Sequence, residues 1–140
     1  MNQFNFAFLV LIQLTLLTGC FNSIPFDKGQ KWLGTYTCDL DEYNIELEIT
    51  EVQNPVVKGI LSEKKDEYFG SFNVLGEYNS KTKQIEFKAM NWIFKPKDKL
   101  FNKATLVDFK GYILKNPYRF EGEIISEGNE CTGFNFTLKP

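Results

Sequence analysis

The sequence predicts an all-β domain of about eight antiparallel strands closed into an up-and-down barrel, with a β-sandwich as the alternative. Three observations carry this. Beyond residue 31 the apolar positions recur at every second residue rather than every 3.6, the period of a half-buried strand. Turn signals separate the runs: "VQNPV", "SEKKDE", "YNSKTKQ", "KPKDKLFNK", "KNPY" and "SEGNE". After the N-terminal 19 residues, no segment offers a helical stripe of three turns.

The strands follow in order. The first is placed at 33–38, within "WLGTYTC". In 44–52, Ile45, Leu47 and Ile49 alternate with Glu46, Glu48 and Thr50. A third is placed at 56–62, and in 68–78 the face of Phe72 and Val74 continues through Gly76 to Tyr78. In 84–94, Ile85 and Phe87 stand in one phase and Met90, Trp92 and Phe94 in the other; a β-bulge near Ala89 reconciles them. In 104–114, Val107, Phe109 and Ile113 share a face with Gly111. Phe120 and Ile124 oppose Glu121 and Glu123 in 118–125, and Phe134, Phe136 and Leu138 alternate with Asn135 and Thr137 in 131–138.

Short links make successive strands neighbours, and a meander of this kind has two edges to hide. Closure hides both, by pairing the last strand with the first. Gly34, Gly70, Gly76, Gly111 and Gly122 fall on the inward face. Tyr36, Phe72, Tyr78, Ile113 and Ile124 follow them two positions later, the small–large alternation of a narrow barrel.

Residues 1–19 carry no Asp, Glu, Lys or Arg, and their apolar core "FAFLVLIQLTLL" is too short for a permanent span, having instead the length of an export signal. Leu17, Thr18, Gly19 and Cys20 resemble the lipobox of bacterial lipoprotein signals, although the usual basic residue ahead of the core is missing. The resemblance implies cleavage before Cys20, acylation of its thiol and of its new amino group, and a lasting attachment through several acyl chains. An ordinary cleaved signal and a buried N-terminal helix are the alternatives. Phe21, where Asp would favour inner-membrane retention in that family, points to the outer membrane, facing the periplasm. The chain thus divides into a signal at 1–19, a lipidated Cys and polar tether at 20–31, and a barrel domain at 32–140.

The chain from Cys20 to Pro140 is 121 residues, enough for one domain. All 16 basic and 18 acidic residues lie in it, a balance without a nucleic-acid signature, and Arg119 is the single arginine. With Cys20 assigned to lipid, Cys38 and Cys131 remain as a pair in an oxidising compartment, and a disulfide is the default expectation. Two buried free thiols or a redox pair are the alternatives, the latter disfavoured by the lack of a Cys-x-x-Cys spacing. Cys38 ends the first predicted strand and Cys131 begins the last, so barrel closure brings them together.

Two charged groups are candidate binding surfaces. Asp39, Asp41 and Glu42, followed by Glu46, Glu48 and Glu51, form an acidic patch able to draw a basic partner, or simply the solvated outer face of the second strand. The segment "KPKDKLFNK" brings Lys95, Lys97 and Lys99 close to Phe101, with Trp92 just before it, either a contact loop or a plain hairpin. The aromatic residues, 16% of the chain, either line a ligand cavity or fill the bore. Histidine is absent, which removes the usual base or ligand of serine, cysteine and zinc mechanisms. "DLDEYNIELE" lacks the spacing of a calcium loop. No enzyme activity, metal or cofactor is expected.

The layout looks like the small eight-stranded binding barrels of the avidin and lipocalin type, and like the periplasmic lysozyme-inhibitor lipoproteins, which pair a lipobox with a disulfide-closed barrel. More closely, the order "WLGTYTC", "GSFNVLGEY", "NWIFKP", "DFKGYI", "FEGEI", "CTGFNFTL" resembles a small, functionally uncharacterised secreted bacterial domain over nearly the whole mature chain. The last likeness is one of structural motifs and implies no activity; the anchor, the barrel and its rim loops lead to the expectation of a membrane-anchored protein that works by binding an envelope protein, as an inhibitor or protective factor. A small-molecule carrier and a structural accessory of an envelope assembly are the alternatives. Oligomeric state is left open.

Overall fold

The computed structural model describes residues 23–97, 104–128 and 130–140. The signal segment, Cys20, Lys99 and Phe101 lie outside the described residues. Eight strands run in chain order: β1 (Lys31–Cys38), β2 (Asp41–Gln53), β3 (Val56–Lys65), β4 (Tyr68–Asn79), β5 (Gln84–Phe94), β6 (Asp108–Leu114), β7 (Arg119–Ile125) and β8 (Cys131–Leu138). Each pairs antiparallel with the next, and β8 returns to β1 through Trp32↔Leu138 to Cys38↔Cys131, so the sheet is a closed barrel rather than a sandwich.

The alternation read from sequence becomes the inside and outside of the cylinder. Ile45, Leu47 and Ile49 are buried on β2, Phe72 and Val74 on β4, and Phe134 and Phe136 on β8. Interlocked rings fill the bore: Phe109 lies 5.3 Å from Phe134, Phe120 4.6 Å from Phe134, and Phe87 5.8 Å from Phe120, all edge to face. Ring quadrupoles favour this geometry, worth about 0.5–1.5 kcal/mol per pair beyond burial. Gly34 shows why the first strand needs a residue without a side chain. A Cβ there would stand 1.8 Å from the main-chain oxygen of Asn135 on β8, so the closing pair could not form.

β5 carries the expected bulge, where Val74 faces Ala89 and Asn73 faces Asn91, leaving Met90 extra. A second follows at once, because Phe72 faces Trp92 and Ser71 faces Phe94, leaving Ile93 extra. Of the three residues expected to share a face, only Trp92 therefore turns inward; Met90 and Phe94 are each 54% exposed. Bulges add twist and end pairing. β5 meets β6 over only four pairs, Gln84↔Tyr112 to Phe87↔Phe109. Where that ladder stops, an Asp108 carboxylate oxygen accepts the Ala89 N–H at 2.8 Å and the other lies 3.2 Å from Lys88 Nζ. The strand expected from residue 104 accordingly begins at Asp108.

The segment read as a polar tether contributes to the core. Phe26 is 1% exposed and closes one end of the bore against Trp32 (5.4 Å), Phe87 (5.9 Å) and Tyr78 (6.5 Å). The chain is held there because Gly29 N–H donates to Ile49 C=O at 2.7 Å and Ile49 N–H to Gln30 C=O at 2.9 Å. Removing a buried Phe ring costs about 3–5 kcal/mol. Phe26→Ala is expected to lower the unfolding free energy by that amount in urea titrations, while Lys28→Ala, on the exposed part of the strap, leaves it unchanged; equal effects would exclude Phe26 from the core.

Candidate functional site at the disulfide end

An up-and-down barrel places the C-terminal ends of odd strands and the N-terminal ends of even strands at the same rim. Asp39, Asp41 and Glu42 at the β1–β2 turn therefore share one end with Trp92, Lys95 and Lys97 at the end of β5. The two groups lie on opposite sides of the eight-strand circle. The same end holds the Cys38–Cys131 disulfide, which joins residues 93 apart with Cα atoms 4.0 Å from each other. Phe26 closes the opposite end.

The β1–β2 connection is a two-residue hairpin, Asp39–Leu40, with φ of 50° and 69°. Positive φ at both central residues is what a type I′ turn requires, and it suits Asn or Gly. Leu pays about 1–2 kcal/mol there. Its side chain is 98% exposed. The turn is fixed from below: Asp39 N–H donates to Glu130 C=O at 2.9 Å, Glu130 N–H to the Asp39 carboxylate at 3.0 Å, and the disulfide sits directly beneath. Lys65 pairs with Asp41 and lies 5.9 Å over the Tyr43 ring.

Inside the same mouth lies a group that the sequence reading missed. Glu63, on β3, is 2% exposed. One carboxylate oxygen accepts the Tyr36 hydroxyl at 2.5 Å and the other the Tyr68 hydroxyl at 2.6 Å. Tyr43 stacks on Tyr36 at 5.0 Å and meets Tyr68 edge-on at 5.5 Å. Trp92, half-buried, packs edge-on against Phe72 at 5.3 Å. The packing is tight: a Cβ on Gly70 would stand 2.9 Å from Pro96 and 3.1 Å from both Glu63 and Trp92. Burial pushes the Glu63 carboxyl above its ordinary range, and the tyrosine hydrogen bonds pull it back by less. Tyr36 and Tyr68 are driven far up, by burial first and then by Glu63, so both remain proton donors.

The acidic patch is narrower than the sequence implies. On the outer face of β2, Lys31 lies 2.9 Å from Glu46 and 3.4 Å from Glu48, and Lys58 lies 2.8 Å from Glu51. Two lysines thus offset most of the charge of these three carboxylates, in surface pairs of small energetic worth. The acidic character concentrates at the turn, in Asp39, Glu42 and the neighbouring Glu130. Across the mouth, Phe69 and Phe94 touch at 5.5 Å and both are exposed, as are Ile93, Lys95 and Lys97. Among the described residues no three His, Cys, Asp or Glu side chains group as a metal site. A surface groove of about 530 Å³ lies at the plugged end, lined by Pro55, Glu77, Asn79, Lys81, Gln84 and Glu86 among others.

Glu63 carries a pH signature. Its folded value is raised, so the stability it contributes is complete at low pH and is lost as pH climbs from about 4.3, where the unfolded chain begins to ionise, through the raised folded value. Glu63→Gln removes the titration. The variant's unfolding midpoint relative to wild type should therefore rise with pH over this range; a falling difference would show that the tyrosines stabilise the charge by more than burial costs it.

No protein-family model matches the chain, and no curated protein matches it.

Proposed function

We propose that the chain is a lipid-anchored envelope lipoprotein, held in the outer membrane facing the periplasm, that acts without catalysis by binding another protein, as an inhibitor or protective protein against an envelope enzyme or toxin. The observation that carries this reading is the polarity of the barrel. Its bore is filled with rings, one end is sealed by Phe26, and the larger share of the exposed apolar side chains, Leu40, Phe69, Met90, Ile93 and Phe94, lies toward the other, against Leu33, Leu114 and Tyr118 near the sealed end. Only five residues lie between Cys20 and Phe26, six steps along the chain. They reach at most about 20 Å when fully extended. A lipid at Cys20 thus keeps the sealed end close to the membrane and leaves the disulfide end to meet a partner. The Cys38–Cys131 bond supports an oxidising compartment.

A small-molecule role has one observation in its favour, the groove beside Glu77 and Glu86, which lies outside the barrel rather than in the bore.

Wild-type chain in its native cells should incorporate labelled palmitate and fractionate with membranes, and Cys20→Ala should incorporate none; equal labelling would refute the anchor. Immobilised chain from residue 21 onward should retain an envelope hydrolase or a toxin from envelope extract. Retention of an assembly component instead would favour an accessory role.

A further inference from the structure

We infer that Leu40 is the docking peg of this protein: an apolar side chain on a preset turn that enters an apolar pocket rimmed by basic residues on a partner protein. The inference rests on the protein-binding reading and names the contact. The turn tip carries Leu40 at 98% exposure, where burial gives nothing to the fold and the φ of 69° costs it stability. Nothing in the barrel's own packing calls for leucine there, and Gly or Asn would serve the turn better. The position is held rigid on three sides by the disulfide at Cys38, the reciprocal Asp39–Glu130 hydrogen bonds and the Asp41–Lys65 pair. A turn whose backbone is held in advance binds without the ordering cost that a mobile loop bears, leaving only the leucine rotamer to settle. An apolar anchor in a pocket, ringed by polar groups, is the common arrangement of an interface hot spot.

Charge identifies the partner. Asp39 directly precedes the peg, Glu42 follows it by two residues and Glu130 is hydrogen-bonded to Asp39, with Asp41 engaged by Lys65, so the turn carries net negative charge. It complements a pocket rimmed by Lys or Arg, and association should weaken as salt screens the rim. The aromatic pair Phe69–Phe94 lies across the mouth, on strands separated from this turn.

The test places a photo-cross-linking amino acid at position 40 of the full chain in its native cells, and separately at positions 93, 94 and 81. Position 40 should give a discrete protein adduct whose yield falls with added salt, and position 81, at the plugged end, none. Against the purified adduct protein, Leu40→Asn and Leu40→Gly should bind about tenfold or more weakly while their unfolding midpoints hold or rise, because both relax the turn. A merely structural turn residue would give the same midpoints with unchanged affinity, which overturns the inference, as does an adduct indifferent to salt. Adducts from 93 or 94 but not from 40 leave protein binding standing and remove Leu40 from it. Adducts from none of these positions overturn both.

Discussion

The pairing of β8 with β1 is the constraint on which the rest of this molecule depends. A sheet of eight strands with open edges would expose two rows of unpaired amide and carbonyl groups, and each row is a template for aggregation. Closure removes both. It also encloses a bore just wide enough for side chains, which is why so many rings can be buried in a chain of this size. The closing seam admits Gly34 against the Asn135 main chain and ends in the disulfide. A crosslink spanning 93 residues removes unfolded-state entropy worth about 4–5 kcal/mol in the chain-entropy account.

From closure follows the division of labour between the two ends. At one end the chain folds Phe26 back over the bore before it enters β1, so an aromatic ring closes the bore there. At the other, the strands finish in hairpins and bulges whose side chains need not serve the core. Charged and apolar groups collect there: Asp39, Leu40 and Glu42 on one side, Phe69, Ile93 and Phe94 on the other. Beneath them, Glu63 and its tyrosines fill the mouth.

Much of this was legible in the residues, and the remainder was not for identifiable reasons. Alternation and the turn signals between runs located the eight strands, and the conflict of phase between Phe87 and Trp92 located the first bulge, because a phase break in a strand demands an extra residue. The second bulge, at Ile93, gave no such sign: two consecutive shifts restore the parity that a reader follows. Phe26 has only Ile24 two positions before it, and two apolar residues in a segment holding Pro25 and Gly29 are too few to establish a period. Glu63 was hidden by its charge. Its phase with Val57 and Leu61 points inward, yet "SEKKDE" reads as a turn until Tyr36 and Tyr68, distant in sequence, supply the hydroxyls that make burial tolerable. Leu40 escaped notice because hairpin length, not residue type, sets its backbone, and that length depends on strands meeting at Cys38↔Asp41. The likeness to lipoprotein signals concerns residues before the barrel, to which the fold adds only where their path must end.

The Tyr36–Glu63–Tyr68 bridge has a mechanical side. A cylinder joined only around its wall resists stretching but can still be squeezed oval. By linking β1, β3 and β4 through one carboxylate, the bridge acts as a chord within the cross-section and skips β2 altogether. No wall hydrogen bond can do that. The chord lies just under the rim, so the open mouth keeps its shape by internal bracing, and the outline it offers to its surroundings is settled before anything touches it.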